Sequence, residues 1–306
     1  MIAFLLTKQI FQLYLIMACG YFTVRLGLLR ADESRTLSVL LVYIVIPCTI
    51  IGAFQIEYKA ETARSFLLAV ISAVILHILL FILAGLSDRA LRCTPIEKAS
   101  LIYSNAGNLI IPLVTAVLGK EWVVYASAFM LVQTFLFWSH GKALIQGVKK
   151  TEPAYFLKNV NLIACFTGLF LFLLRLRLPA IVTDTMQSIA SLIGPLSMLM
   201  LGMILAGTDI KKMISRRIWI IALLKMVVQP AVLVLILKYS GLAGFSPDGT
   251  MILFISLLAV MTPSATSVTQ LAQLYNKEPQ YAMAINTVTT VACLVTMPLL
   301  TALYYL

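Results

Sequence analysis

The chain has 306 residues, of which 61% are hydrophobic and only 11% charged; soluble domains run near about 45–50% apolar and 25% charged. That composition, with a mean hydropathy of +1.00, excludes a water-soluble globular domain and places the chain in a bilayer. The net charge of +11 therefore reads as membrane orientation and not as a nucleic-acid surface.

Charges sit in short clusters. Between them lie apolar runs of about 20 residues, the length that crosses ~30 Å of hydrocarbon. In chain order the runs are 3–24, 36–56, 64–86, 95–119, 121–140, 156–176, 181–207, 217–239, 250–275 and 281–304. The first is too long for the apolar core of a cleavable signal, and no small-residue cleavage site precedes Arg25. The longest polar stretch, 141–158, is a short connection, so no soluble domain is expected. Ten spans place fifteen Lys and Arg residues on one side, including Arg25, Arg89, Lys142, Arg216 and Lys277. Seven fall on the other, among them Lys59, Lys120 and Arg177. Positive residues favour the cytoplasm, so both termini are expected outside a cell (inner or cytoplasmic) membrane. Cys19, Cys48, Cys93, Cys165 and Cys293 are scattered without a CxxC pair and read as packing residues.

Proline lacks an N–H and clashes one turn back, so its position inside a span is informative. Mid-span prolines stand in the second run (Pro47), the fourth (Pro112), the seventh (Pro195), the eighth (Pro230) and the ninth (Pro263). The second and seventh runs, and the fourth and ninth, are five apart, which suggests one five-helix unit used twice. Five being odd, the second copy enters from the opposite side, as in the inverted repeats of secondary transporters. The expected fold is an all-α polytopic membrane protein. Ten transmembrane helices form two inverted repeats, 1–140 and 159–306, with helices 4 and 9 broken.

The fourth run carries Ser104, Asn105, Gly107, Asn108 and Pro112; the ninth carries Thr262, Pro263, Ser264, Thr266, Ser267, Thr269 and Gln270. Polar groups at mid-depth cost several kcal/mol each unless paired. A helix that restarts there presents free N–H groups and a partial positive charge. Two such ends meeting, with Asn105, Asn108, Ser264, Ser267 and Gln270 around them, would bind an anion, most naturally a carboxylate. The alternative is that these small and polar residues glue helices together. No acidic residue lies near the centre of a span, which disfavours a cation exchanger built on buried carboxylates; sodium held by carbonyls and hydroxyls stays open. Lys225 lies inside the eighth run. It either snorkels to the cytoplasmic surface or adds positive potential to an anion path. His77 reads as a hydrogen-bonded packing residue, with a proton-carrying role as the alternative. There is no HExxH, no GxSxG, no aspartate pair and no metal-ligand cluster, so no enzyme, cofactor or metal is expected.

The segments GYFTVRLGLL, LVYIVIP, SNAGNLIIP, LVQTFLFWSHG, IGPLSMLMLGMILAG, KMVVQP, MTPSATSVTQLAQLYN and NTVTTVACLVTMPL resemble, in this order and over essentially the whole chain, the auxin efflux carrier family. The resemblance implies a ten-helix fold related to bile-acid and sodium–proton carriers, with helices crossing at Pro112 and Pro263. It also implies transport of small organic anions such as malate, malonate or auxin. Asn105, Asn108, Pro112, Pro263 and its hydroxyl neighbours would line the site, with Gln133 facing it. The short connection between the fifth and sixth runs resembles microbial members more than plant ones. The opening of the sixth run departs from the family's Asn-Pro by reading NVNL at 159–162. The expected function is secondary active or facilitative transport of mono- or dicarboxylates by alternating access, in export or exchange. The alternative is a sodium-coupled, bile-acid-like symporter. Expected partners are a small organic anion, the lipid bilayer and a coupling ion (proton or sodium). Nucleic acid is not expected, and a homodimer stays open.

Overall fold

Long apolar runs without period-two alternation can satisfy their backbone in lipid only as helices, and that is how they fold. The computed structural model describes residues 2–55, 60–148, 159–207 and 215–305. The first half contains α1 (Ile2–Arg25), α2 (Ser34–Leu40), α3 (Ile46–Ala53), α4 (Ala60–Leu91), α5 (Pro95–Ile102), α6 (Ile111–Val117), α7 (Val123–Leu136) and α8 (Lys142–Gln146). The second contains α9 (Val160–Leu173), α10 (Ala180–Ala190), α11 (Ile193–Ala206), α12 (Arg216–Leu223), α13 (Gln229–Tyr239), α14 (Gly249–Val260), α15 (Thr266–Leu274) and α16 (Pro279–Tyr305). Each apolar run falls on one of these helices or on consecutive ones. Most of the polar connection, 149–158, lies outside the described residues.

By length and hydropathy five helical stretches can cross a membrane: Ala31–Ala53, Glu61–Leu91, Lys120–Gln146, Ala180–Ala206 and Arg216–Tyr239. The last helix makes a sixth if its two parts count as one span. Large apolar side chains such as Phe166, Phe170, Ile181, Val295 and Leu299 are more than half exposed, as suits contact with lipid. The chain is a multi-pass, all-helical membrane protein.

The prolines do less breaking than the sequence suggests. Three of them follow a π-helical turn directly: Leu41–Val45 precedes Pro47, Ala106–Ile110 precedes Pro112, and Leu224–Val228 precedes Pro230. In each case the proline is the second residue of the next α-helix. Its ring would clash with the carbonyl four residues back, which lies inside the widened turn. Widening relieves the clash and keeps the chain helical. Pro195 stands in the first turn of α11, after a turn at 191–192. Pro263 alone of the five lies in a non-helical stretch. The interruption in the fourth run falls at 103–105, before Pro112, so the crossing expected at Pro112 is placed there instead.

Contacts divide the chain into two units, each drawing on both halves. The first comprises 1–63, 107–127 and 157–208. Within it α1 lies against α11, and α3 against α9 and α10. The α1–α11 contact depends on reciprocal glycines. A Cβ on Gly20 would strike the Leu199 carbonyl, and one on Gly202 would strike that of Met17. Small residues that let backbones approach are the usual basis of helix association in lipid. At the opening of α9, Asn159 accepts N–H bonds from Asn161 and Leu162, both at 3.1 Å. It is an N-cap, so NVNL starts the helix without a proline.

The second unit comprises 64–106, 128–156 and 209–306. One end is tied by Glu97, which is 1% exposed. Arg217 donates to both its carboxylate oxygens, at 2.7 and 2.8 Å, and the Tyr281 hydroxyl donates at 2.6 Å. Thr94 completes a capping box with the same carboxylate. These bonds join α5, α12 and α16. Deeper in the unit, the hydroxyls of Ser72 and Ser256 pair at 2.7 Å, and Tyr304 donates to the Thr250 carbonyl at 2.8 Å.

Because backbone, not a flexible side chain, opposes Gly202, a larger residue there must separate α1 from α11. Overpacking of this kind costs about 1–3 kcal/mol or more. Gly202→Val should lower the thermal unfolding midpoint of the detergent-solubilised protein by several degrees. An unchanged midpoint would contradict the close contact.

Candidate functional site

In the second unit two helical runs are interrupted beside one another. α5 ends at Ile102 and helix resumes at Ala106; α14 ends at Val260 and α15 begins at Thr266. Between those ends, Ser104 and Ser264 form an isolated antiparallel bridge. The Asn105 N–H donates to the Pro263 carbonyl at 2.7 Å, and the Ala265 N–H donates to the Tyr103 carbonyl at 3.0 Å. Two extended segments thus satisfy each other where neither can continue its helix.

The outward edges of this short ladder are closed by side chains. Gln133 on α7 accepts from the Ser104 N–H at 3.0 Å and donates to the Ser104 carbonyl at 2.8 Å. On the other strand, Asn286 of α16 donates to the Ser264 carbonyl at 2.6 Å, and the Thr289 hydroxyl accepts from the Ser264 N–H at 3.2 Å. One amide side chain serves Ser104; an amide and a hydroxyl serve Ser264. Both bridge residues are 1% exposed, so every one of these backbone groups needs a protein partner.

The carbonyl ends of the interrupted helices are also occupied. Lys225, 0% exposed, donates to the Leu101 carbonyl at 3.2 Å and to the Ser104 hydroxyl oxygen at 2.8 Å. Ser104 in turn donates to the Val260 carbonyl at 3.4 Å. Of the two alternatives the sequence left for Lys225, snorkelling to the surface is excluded. The side chain is directed inward from the widened turn Leu224–Val228.

Donors remain on the opposite side of the balance. Asn105, 4% exposed, receives a bond from Thr266 at 3.4 Å on its side-chain oxygen. Its amide nitrogen, and the hydroxyls of Ser264 and Thr269, are buried with no hydrogen-bond partner among the described residues. α15 starts at Thr266, directly after the crossing, and brings the partial positive charge of a helix N-terminus. A buried lysine, a helix start and unused donors together suit a negatively charged oxygen.

The remaining expected site residues are distributed as follows. Pro263 supplies a carbonyl to the ladder. Ser267 is half-buried and Gln270 exposed on α15. Asn108 lies in the widened turn Ala106–Ile110, with its side chain outside the described residues. Pro112, buried, is the second residue of α6 in the first unit. His77 is buried: Nδ1 donates to the Ala73 carbonyl at 2.7 Å, the ring lies 4.8 Å from that of Phe129, and Nε2 has no hydrogen-bond partner among the described residues. Asn286 and Thr289 carried no role in the sequence. The available signal was an Asn and a Thr three apart, on one face of a mainly apolar helix. Among the described residues no group of His, Cys, Asp and Glu could hold a metal.

The first unit contains its own cavity of about 600 Å³, lined among others by Thr49, Gln55, Thr115, Lys120, Glu121, Arg177 and Gln187. Arg177 donates to the Gln55 carbonyl, and the Gln55 side chain accepts from the Leu178 N–H at 2.9 Å. None of the expected site residues lines it.

The profile of the membrane transport protein family matches residues 5–156 and 154–301. The chain belongs to this family, the auxin efflux carriers. It is therefore a membrane transport protein. No curated protein matches the chain.

Replacing Gln133 by Leu would leave the buried N–H and carbonyl of Ser104 unpaired, at about 1–3 kcal/mol each. Hydrogen exchange of the segment around 101–106, followed by mass spectrometry, should become faster in Gln133→Leu than in the parent. Unchanged protection would show that Gln133 does not hold the crossing.

Proposed function

We propose that this carrier moves small organic anions, mono- and dicarboxylates, by alternating access, in export or exchange. The observation that carries this is the grouping of the unpartnered Asn105 amide nitrogen and Ser264 hydroxyl with buried Lys225. A carboxylate oxygen accepts from neutral donors and is attracted by the ammonium and by the start of α15. A cation would meet the same sign of charge, and a neutral apolar guest would leave the donors unpaired at about 1–3 kcal/mol each.

Asn105 and Ser264 touch the guest, with Ser267 and Thr269 on the following turn of α15. Gln133, Asn286 and Thr289 are positioning residues, since their polar groups are engaged with the backbone of the bridge. Their placement supports the inverted-repeat topology: a helix late in each half closes the edge of the interrupted segment before it. The fifteen-to-seven distribution of Lys and Arg supports an orientation with both termini outside.

Purified protein in liposomes should exchange labelled malonate or malate for the same anion inside. One hydrogen bond to a charged group is worth about 1.5–3 kcal/mol, or roughly ten- to a hundredfold in affinity. Asn105→Ala and Ser264→Ala should each weaken half-saturation by about that factor while the proteins still elute as the parent does. Full affinity in both variants would remove the crossing as the site.

A further inference from the structure

Carriers with interrupted helices commonly hold a coupling sodium ion on unwound carbonyls and half-helix C-terminal ends. The ligands suited to such a hard cation are neutral or anionic oxygens. The crossing in the second unit has that chemistry in the Leu101 carbonyl, one residue before the end of α5, and in the Ser104 hydroxyl within the break. Both oxygens are already taken. We infer that the ammonium of Lys225 stands where a coupling sodium would bind, so that carboxylate flux proceeds without sodium. The inference rests on the crossing being the transport site.

Three observations carry it. Lys225 Nζ meets Ser104 Oγ at 2.8 Å and the Leu101 carbonyl at 3.2 Å, with no exposure to solvent. The proton of Ser104 is directed to the Val260 carbonyl, so its oxygen is free to accept from the ammonium. The acids of the chain stand away from the middle of its apolar runs, and both partners of Lys225 are neutral oxygens. A second cation on those oxygens would lie against a positive charge with no carboxylate to offset it, and at this depth like charges repel strongly.

The reach of Lys225 follows from the chain around it. Pro230 imposes the widened turn Leu224–Val228, which lies against α5 and α16. The ammonium is thereby held against the C-terminal carbonyls of α5, where a positive charge is favoured by the helix dipole. A cation fixed to the protein cannot be released, so it contributes charge to the site and no gradient to the transport.

The test has an arm that needs no knowledge of the substrate. Wild-type protein should show no saturable binding of labelled sodium. Its thermal midpoint should be the same in sodium chloride and in N-methylglucamine chloride of equal ionic strength. Lys225→Met leaves the two oxygens without a cation, and should acquire saturable sodium binding and a sodium-dependent rise in midpoint. In liposomes, wild-type malonate exchange should be equal in sodium and choline media, and in Lys225→Met it should fall about tenfold or more. Saturable sodium binding by the wild type, or sodium-dependent exchange, would overturn the inference, and neither needs the variant to fold. A folded Lys225→Met that exchanges malonate at the wild-type rate would overturn it too. Absence of malonate and malate exchange in every medium would instead count against the carboxylate proposal, leaving the sodium-binding arm to decide this one.

Discussion

Backbone that leaves a helix inside a bilayer must find hydrogen bonds elsewhere, and here two such segments find them in each other. The bridge between Ser104 and Ser264, with the Asn105–Pro263 and Ala265–Tyr103 bonds, pairs backbone groups where two helices stop and restart. Each unpaired group would cost several kcal/mol at that depth. Gln133, Asn286 and Thr289 extend the ladder with side chains in the places where further strands would stand in a sheet. The crossing is a minimal sheet fragment enclosed by helices.

That arrangement separates the two kinds of helix end. Carbonyl ends are met by the protein itself: Lys225 at Leu101, and Ser104 at Val260. The side-chain donors beside them, the Asn105 amide nitrogen and the Ser264 hydroxyl, have no such partner among the described residues. The resulting bias is positive without any exposed charge, and it comes from placement more than from composition. The overall charge of +11 belongs mostly to the polar clusters between apolar runs, where it bears on orientation.

Much of the helical outline was legible in the sequence, because an apolar run bounded by Arg, Lys, Gly or Pro in a chain this hydrophobic has few alternatives to helix. The polar clusters at 104–108 and 262–270 stood out against the apolar runs, and the structure pairs 103–105 with 263–265. The position of the first break was not. Pro112 was the visible helix breaker, yet a single π turn accommodates it, as others do Pro47 and Pro230. The actual break at 103–105 contains no proline and depends on partners far along the chain. Gln133 entered only through the family resemblance, as a residue facing the site, and Asn286 and Thr289 carried no role: the bonds all three make exist only once Ser104 and Ser264 are paired. Lys225 is buried with Nζ on the Leu101 carbonyl and the Ser104 hydroxyl, so it does not snorkel to the surface.

The most direct test is an experimental density map of the reconstituted protein with a bound dicarboxylate such as malonate. The account predicts a non-helical chain at 103–105 paired with 263–265, and anion density within hydrogen-bond distance of the Asn105 amide and the Ser264 hydroxyl. Continuous helix through residues 95–117, or anion density that avoids both side chains, would contradict it.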